Sequence, residues 1–289
     1  MTEPATSSVD DLRREGLLVL RGPDGAAEVD ILLAHVLGHS RAWLRAHGGD
    51  AVDRGLRSRF RDCLARRRVG MPVAYLTGSR EFWSLPLRVT PDVLIPRADT
   101  ERLVEMALER LPVDRAGRVL DLGTGSGAIA LALARERPRC AVLATDYSPE
   151  ALTVAEDNAR RLGMEDRIRF LRSDWFAALR HERPFDLVVS NPPYLAAGDR
   201  HLREGDLRHE PVRALIAGRD GLDAIRDIVA AAPRHLEPDG WLLLEHGMEQ
   251  GAAVRALMLG AGLCEVATGH DLEGRERVTH GRRPASWGH

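Results

Sequence analysis

Arg118-Val-Leu-Asp-Leu-Gly-Thr-Gly-Ser-Gly-Ala-Ile-Ala-Leu-Ala-Leu-Ala134 reads in three pieces: an apolar strand, a turn carrying Gly123, Gly125 and Gly127, and an apolar helix. Glycine lets the backbone turn tightly and lets a ligand approach closely, and free amides at a helix start favour polar or anionic ligand groups. A nucleotide-type loop is therefore expected over Gly123, Thr124, Gly125, Ser126 and Gly127. Spacing alone leaves the ligand open, because Gly123-x-Gly125-x-x-Ala128 also satisfies the relaxed dinucleotide pattern and keeps a nicotinamide cofactor in view. The next strand, Cys140-Ala-Val-Leu-Ala-Thr-Asp146, ends in an acid at about the distance from Gly123 expected of a ribose-binding carboxylate. Asp146 is assigned to a ribose diol, since Ser148 is available to cap the helix Pro149–Leu162.

A third strand, Ile168-Arg-Phe-Leu-Arg-Ser-Asp174, delivers another acid followed directly by Trp175. An acceptor such as Asp174 suits an exocyclic amine, and an aromatic wall suits the base that carries it, so the pair fits an adenine site. Trp175 as ordinary core is the alternative. A fourth apolar run, Phe185-Asp-Leu-Val-Val-Ser190, ends in Asn191-Pro192-Pro193-Tyr194. A buried strand would bring these residues to the carboxyl edge of the sheet, where open α/β sheets bind their ligands. The Asn191 side chain offers a carbonyl acceptor, Pro192 offers a backbone carbonyl, and neither proline has a competing N–H. Such an acceptor pair beside an aromatic face suits a planar nitrogen bearing two hydrogens, as in a carboxamide or a nucleobase amine. A plain Asn-Pro turn ending a strand is the competing explanation.

Strands and helices alternate from residue 100 onward, through Trp241–Glu245, a helix near Met248–Leu259 and late strands near Cys264–Thr268 and Arg277–His280. That alternation predicts a doubly wound α/β sheet. Ahead of it, apolar residues recur at helical spacing in Val9–Leu20, Ala26–Leu37, Arg41–Ala46 and Val52–Arg67, which predicts a small all-α domain. Short β-like runs, Val73–Leu76 and Leu85–Val89, predict a β-hairpin linker with Thr77-Gly78 as its turn. The expected domains are 1–72 (helical), 73–96 (hairpin linker), 97–283 (the α/β domain) and 284–289 (a tail without assigned function). The polar segment Leu195–Ile216 is placed to act as a lid or substrate-contacting loop, with Glu210 and Pro211 shaping it.

The chain has 289 residues, 44% of them apolar, and a formal net charge of -2. That apolar share is ample for a buried core, and the charge balance gives no broad electrostatic footprint for nucleic acid. There is no eighteen-residue apolar run and the start lacks a basic segment followed by an apolar core, so no membrane span or signal peptide is read and the cytoplasm is the default. Cys63, Cys140 and Cys264 are odd in number and widely spaced, which argues against a disulfide framework and a zinc site. His35 and His39 lack the glutamate of a zincin motif, and no metal is expected. One helix is rich in arginine, at Arg57, Arg59, Arg61, Arg66, Arg67 and Arg68; it is read either as a docking surface for an acidic protein or RNA, or as a solvated face.

Together these features resemble the S-adenosylmethionine-dependent methyltransferases, and within them the peptide chain release factor glutamine methyltransferase family. The resemblance covers nearly the whole chain: Asp30-Ile-Leu-Leu-Ala-His-Val-Leu-Gly38, Pro72-Val-Ala-Tyr-Leu-Thr-Gly78, Arg80-Glu-Phe-Trp-Ser-Leu-Pro86, Leu94-Ile-Pro-Arg97, Gly205-Asp-Leu-Arg-His-Glu-Pro211, Leu244-Glu-His-Gly247 and Arg277-Val-Thr-His-Gly281. One departure is Ala98, where the family usually has proline. The resemblance implies a seven-stranded Rossmann-like methyltransferase domain. It also implies that Gly123 to Gly127, Asp146, Asp174, Trp175 and Asn191 contact S-adenosyl-L-methionine, whose product is S-adenosyl-L-homocysteine. Asn191, Pro192, Pro193 and Tyr194 would hold the acceptor amide, with Asn191, Pro192 and Tyr194 as the catalytic set. The acceptor would be the glutamine of the Gly-Gly-Gln loop of bacterial class 1 release factors, met by a monomer whose N-terminal domain helps grip the substrate. Alternatives are a glutamine methyltransferase acting on a ribosomal protein, a DNA or RNA amino-group methyltransferase, and a non-catalytic binding module. A dehydrogenase ranks last, because it would leave residues 191–194 unexplained.

Overall fold

The computed structural model describes residues 7–286, which divide into two compact units. The first comprises the residues up to Ser79 together with Arg203–His209; the second holds the remainder.

The first unit contains β1 (Ser7–Ser8), α1 (Val9–Val19), α2 (Gly25–Leu37), α3 (Arg41–Ala46), β2 (Ala51–Val52), α4 (Arg54–Arg68) and α5 (Val73–Thr77). Ser8 caps α1 in a reciprocal box with Asp11, and Gly38, at φ 71°, closes α2 in the left-handed conformation that glycine adopts without strain. Val9, Leu12, Val29, Leu33, Leu44, Phe60 and Leu64 form its core. Val73–Leu76, expected from sequence to be a β run, is helical. Five residues are too few to separate a period of two from one of 3.6. The ends decide instead, because the Pro72 carbonyl accepts from Tyr75 and Leu76 and Gly78 stops the turn at φ 69°. Leu76 then packs into the helical core.

Arg203–His209 joins this unit through specific bonds. Arg67 donates to Asp206 at 2.7 Å and to Glu28 at 2.7 and 2.9 Å, while Arg208 donates to the Val69 carbonyl at 2.6 Å. The arginine-rich helix α4 is thus divided in role. Arg57 is buried, Arg61 pairs with Glu15 and Arg67 with two acids, which leaves Arg59, Arg66 and Arg68 exposed.

The second unit begins with a hairpin, β3 (Ser79–Phe82) and β4 (Leu85–Arg88), and continues through α6 (Asp99–Arg110), β5 (Arg118–Leu122), α7 (Ala128–Glu136), β6 (Ala141–Asp146), α8 (Pro149–Arg161), β7 (Ile168–Arg172), β8 (Phe185–Ser190), α9 (Asp223–Ala231), β9 (Leu236–Glu245), α10 (Gly251–Gly260), β10 (Cys264–His270) and β11 (Glu276–Arg282). The hairpin turn is Trp83-Ser84 rather than Thr77-Gly78. Both turn residues have positive φ, 53° and 55°, a conformation that usually selects Asn or Gly. Trp83 is held there by its own bonds: its backbone N–H donates to Glu101 at 2.9 Å and its indole N–H to Glu136 at 3.0 Å. Ala98 takes φ -59°, a value proline also holds, so its departure from the family pattern leaves the entry to α6 unchanged.

The sheet runs β10-β11-β9-β8-β5-β6-β7, with β5 to β9 parallel and β11 antiparallel to both its neighbours. Parallel strands covered on both faces need apolar residues throughout, which is why Val119, Leu120, Leu122, Leu187, Val188 and Val189 are all fully buried. One core layer joins α6 and α7 to the sheet and the other joins α9 and α10. Strand order reverses between β5 and β8, so the loops after these two strands flank the topological switch point, where such sheets leave a crevice. The quoted tail begins at Pro284, and its last three residues lie outside the described residues.

Candidate active site

A cavity of about 850 Å3 opens at this crevice. Its wall takes the glycine loop from Gly123 to Ser126, Asp146, Asp174, Trp175, Asn191 and Pro193, along with Arg97, Thr100 and the returning limb Pro211–Gly218.

The three loop glycines all have positive φ, 70°, 55° and 84°. A Cβ on Gly127 would stand 3.2 Å from Ala155 and 3.3 Å from Leu131, so this position needs glycine for both conformation and space. The amides expected to be free are largely committed within the fold. Thr124 N–H donates to the Thr145 carbonyl at 2.9 Å, Gly125 N–H to the Asp146 carboxylate at 2.9 Å, and Gly127 N–H to the Thr124 carbonyl at 2.8 Å. A pyrophosphate would have to compete for these donors and meet the acids beside them, which disfavours a dinucleotide. Asp146 also accepts from Ser148 N–H at 2.9 Å, and burial holds its carboxyl above the usual carboxylate range.

Trp175 closes this end of the cavity. It sits at φ 44°, an unusual value for so bulky a residue. Its ring comes to 3.5 Å of where a Gly123 side chain would begin, so the bare glycine admits the indole. Asp174 is exposed at the cavity rim.

At the other end, Asn191 donates from Nδ2 to the Thr100 hydroxyl at 3.0 Å. Its Oδ1 is buried and has no hydrogen-bond partner. An orphaned buried acceptor costs about 1–3 kcal/mol, so it calls for a donor to complete it. Pro193 lines the cavity, whereas Pro192 is buried and Tyr194 does not line it. The Tyr194 ring packs against the α9 and α10 core layer, its backbone carbonyl accepts from Gln250 at 3.0 Å, and burial pushes its hydroxyl well above the ordinary value. The aromatic residues that line the cavity are Trp175 and Tyr147.

Four residues shape the site without having been singled out from sequence. Asp121, fully buried under the glycine loop, accepts from the Thr124 hydroxyl at 2.6 Å and from Ala130 N–H at 3.2 Å, and burial pushes it up to about 7. Asn158 on α8 bonds both the N–H and the carbonyl of Arg88, at 2.7 and 2.9 Å, and the Ser126 carbonyl at 2.9 Å, tying the hairpin to the loop. Thr100 partners Asn191, and Glu245 ends β9 beside it. Asp121 and Glu245 stood inside quoted motifs, but a buried acid at a strand end gives no local sign of its partners. Glu210 does more than shape its loop: buried, it pairs with Arg97 and accepts from Ile95 N–H at 3.0 Å, which pins the returning limb over the cavity. His39, screened as a metal ligand, stacks on Trp43 at 3.9 Å.

Residues 100–205 match the family model described as Methyltransferase small domain, and residues 14–78 match PrmC N-terminal domain. Among solved structures, the hMettl16 catalytic domain in complex with a MAT2A 3′UTR hairpin is similar with a TM-score of 0.57 at 16% identity, covering 82% of this chain and 84% of that one. The T. thermophilus 16S rRNA N2 methyltransferase RsmC in complex with AdoMet and guanosine is similar with a TM-score of 0.54 at 21% identity, covering 71% and 49%. At such identities the likeness is one of fold. Sequence relatives are much nearer. A release factor glutamine methyltransferase of Xylella fastidiosa is 54% identical over 89% of this chain and 93% of its own length, and one of Pseudomonas aeruginosa is 54% identical over 90% and 93%. That of Escherichia coli is 49% identical over 88% and 91%. With both family models matched and relatives 49–54% identical over 88–90% of this chain, the chain belongs to the release factor glutamine methyltransferase family.

Proposed function

We propose that the protein transfers a methyl group from S-adenosyl-L-methionine to the side-chain amide nitrogen of the glutamine in the Gly-Gly-Gln loop of bacterial class 1 release factors. The observation that carries this reading is Asn191, which lines the same cavity as Asp146 and Trp175 and whose buried Oδ1 has no hydrogen-bond partner. The residues present fit the donor. Asp146 suits a ribose diol, Asp174 an exocyclic amine and Trp175 the face of a base, while committed loop amides and nearby acids suit a ligand without phosphates. Bound there, the donor supplies an activated methyl group on a sulfonium.

The chain's own task is to present the nucleophile. An amide nitrogen reacts poorly because its lone pair is delocalised, so it must be aimed and its developing positive charge stabilised. Asn191 Oδ1 and the Pro192 carbonyl accept its two hydrogens. As nitrogen bonds to the methyl carbon and becomes positive, those hydrogens become better donors and both bonds tighten, which lowers the barrier more than it favours substrate binding. The extra proton leaves to solvent after transfer; no nucleophilic side chain or metal is required. The helical unit, with Arg59, Arg66 and Arg68 exposed, serves as the docking domain. The enzyme acts as a monomer in the cytoplasm; no helix among the described residues is long and apolar enough to cross a membrane.

The test is incubation of the full chain with labelled S-adenosylmethionine and whole release factors carrying either Gln or Ala in the Gly-Gly-Gln loop. Label should enter only the Gln protein. Equal label on the Ala variant, or label on a ribosomal protein or nucleic acid instead, would remove this substrate.

A further inference from the structure

The proposed chemistry needs the Asn191 amide to face one way only, with its oxygen toward the acceptor and its NH2 away. A primary amide is nearly symmetric in shape, so packing cannot make that choice and the hydrogen-bond partner must. That partner is Thr100, in the first turn of α6, whose hydroxyl oxygen receives the Nδ2 proton at 3.0 Å. A hydroxyl is itself ambivalent, because it can donate one proton or accept with its lone pairs. Were its proton to point at Asn191, the amide would turn over and meet an incoming carboxamide NH2 with its own.

Glu245 removes the ambivalence. It follows Leu244, which pairs with Ser190 just before Asn191, so Glu245 and Asn191 leave neighbouring strand tips side by side. Its carboxyl group is fully buried and neither oxygen has a hydrogen-bond partner, so both are open to a donor; the Thr100 hydroxyl, outside hydrogen-bonding geometry, is the neighbouring group that favours its charged form. An ionised carboxylate accepts and never donates. Its charge favours the Thr100 rotamer whose proton points to its side, which leaves the Thr100 oxygen as the acceptor for the Nδ2 proton of Asn191.

We infer that Thr100 and ionised Glu245 are positioning residues, which hold the Asn191 amide with Nδ2 on Thr100 and the oxygen left unpaired for the acceptor. The inference rests on the amide-methylating function proposed above.

A pH dependence follows. Burial pushes Glu245 up to about 7; Arg277 on β11 and Arg97 ahead of α6 favour its ionised form, and Asp99 opposes it. Tyr194, after β8, is the other titratable group facing it and stays neutral because burial raises its hydroxyl. Arg277 is itself engaged, with Asp271 at 3.0 Å and Asp99 at 3.3 Å. Below about pH 7 the protonated Glu245 no longer holds the Thr100 proton on its side, so the hydroxyl is free to donate to Asn191 and the amide to turn over.

The experiment measures kcat and the KM for S-adenosylmethionine with whole release factor, on either side of pH 7, for the full chain and three variants. In the wild type kcat should fall on the acid side while the donor KM holds. Glu245→Gln should lose that acid limb and run about tenfold slower at pH 8, Thr100→Val should lose about 10- to 100-fold in kcat, and Thr100→Ser, which keeps the hydroxyl, should recover most of it. An acid limb that persists in Glu245→Gln, or Thr100→Ser impaired as badly as Thr100→Val, overturns the inference. So does a wild-type kcat that is flat through pH 7, which needs no variant to fold. Absence of methyl transfer by the wild type at every pH counts against the proposed function itself and so separates the two failures.

Discussion

Replacing Glu245 by glutamine removes a buried charge while nearly preserving shape, and its effect on stability can be worked out with sign and size. The carboxyl is raised from an ordinary 4.5 to about 7, chiefly by burial. Between those values the folded protein keeps a proton that the unfolded chain has released. The unfolded state then binds fewer protons, so wild-type stability falls as pH rises from about 4.5 to about 7 and levels off above. Each unit corresponds to about 1.4 kcal/mol, which makes the whole loss roughly 3 kcal/mol. The carboxamide that replaces this group does not titrate. Relative to wild type, Glu245→Gln should therefore gain roughly 3 kcal/mol on going from pH 4.5 to pH 7.5, although it is the slower enzyme. Asp121 and Asp146, which burial also raises, titrate in both proteins and cancel from the difference. Urea denaturation followed by circular dichroism at several pH values gives the comparison, provided the slope with urea is the same for both proteins. A difference that does not vary with pH, or that swings the other way, would mean that Glu245 is not a desolvated carboxylate held against its own preference.

Other outcomes follow from the same geometry. Asn191→Ala should lower kcat by about 100-fold while donor affinity changes little, and comparable losses in both would reject its role toward the acceptor. Asn158→Ala deletes three bonds, at 2.7, 2.9 and 2.9 Å, and should cost about 3 kcal/mol at ~1 kcal/mol each. It should also weaken donor binding by calorimetry, because the Ser126 carbonyl in the glycine loop loses its anchor; unchanged affinity would disconnect α8 from the loop. Charge reversal at Arg66 and Arg68 should slow methylation of whole release factor but not of a short Gly-Gly-Gln peptide, and equal rates on both would end the docking role. Arg67 is left out of that variant because its pairs with Glu28 and Asp206 are structural.

The parallel sheet was legible because apolar runs of four to six residues alternate with long amphipathic helices, a pattern few other architectures produce. The strand ends bearing Gly123, Asp146, Trp175 and Asn191 were legible for a related reason: a buried parallel strand has one edge at which polar residues can emerge. Elsewhere local signals were too weak. Val73–Thr77 is a helix because of where Pro72 and Gly78 stand, and Trp83-Ser84 turns without glycine because Glu101 and Glu136 hold the tryptophan. Tyr194 is a neighbour of Asn191 in sequence, but its side chain packs into the core while Asn191 meets the cavity. Thr100 and Glu245 lie far from Asn191 in the chain, and only the assembled strand tips and the start of α6 bring them to it.

The methyl group belongs on one nitrogen atom, and locating it in the product decides the matter. After reaction of the full chain with S-adenosylmethionine and whole release factor, fragment mass spectrometry of the Gly-Gly-Gln peptide should put a single methyl group on the glutamine side chain, and Asn191→Ala should leave that peptide unmodified in the same time. A methyl group on any other residue would exclude the glutamine amide as acceptor, and full glutamine methylation by Asn191→Ala would exclude Asn191 as the group that presents it.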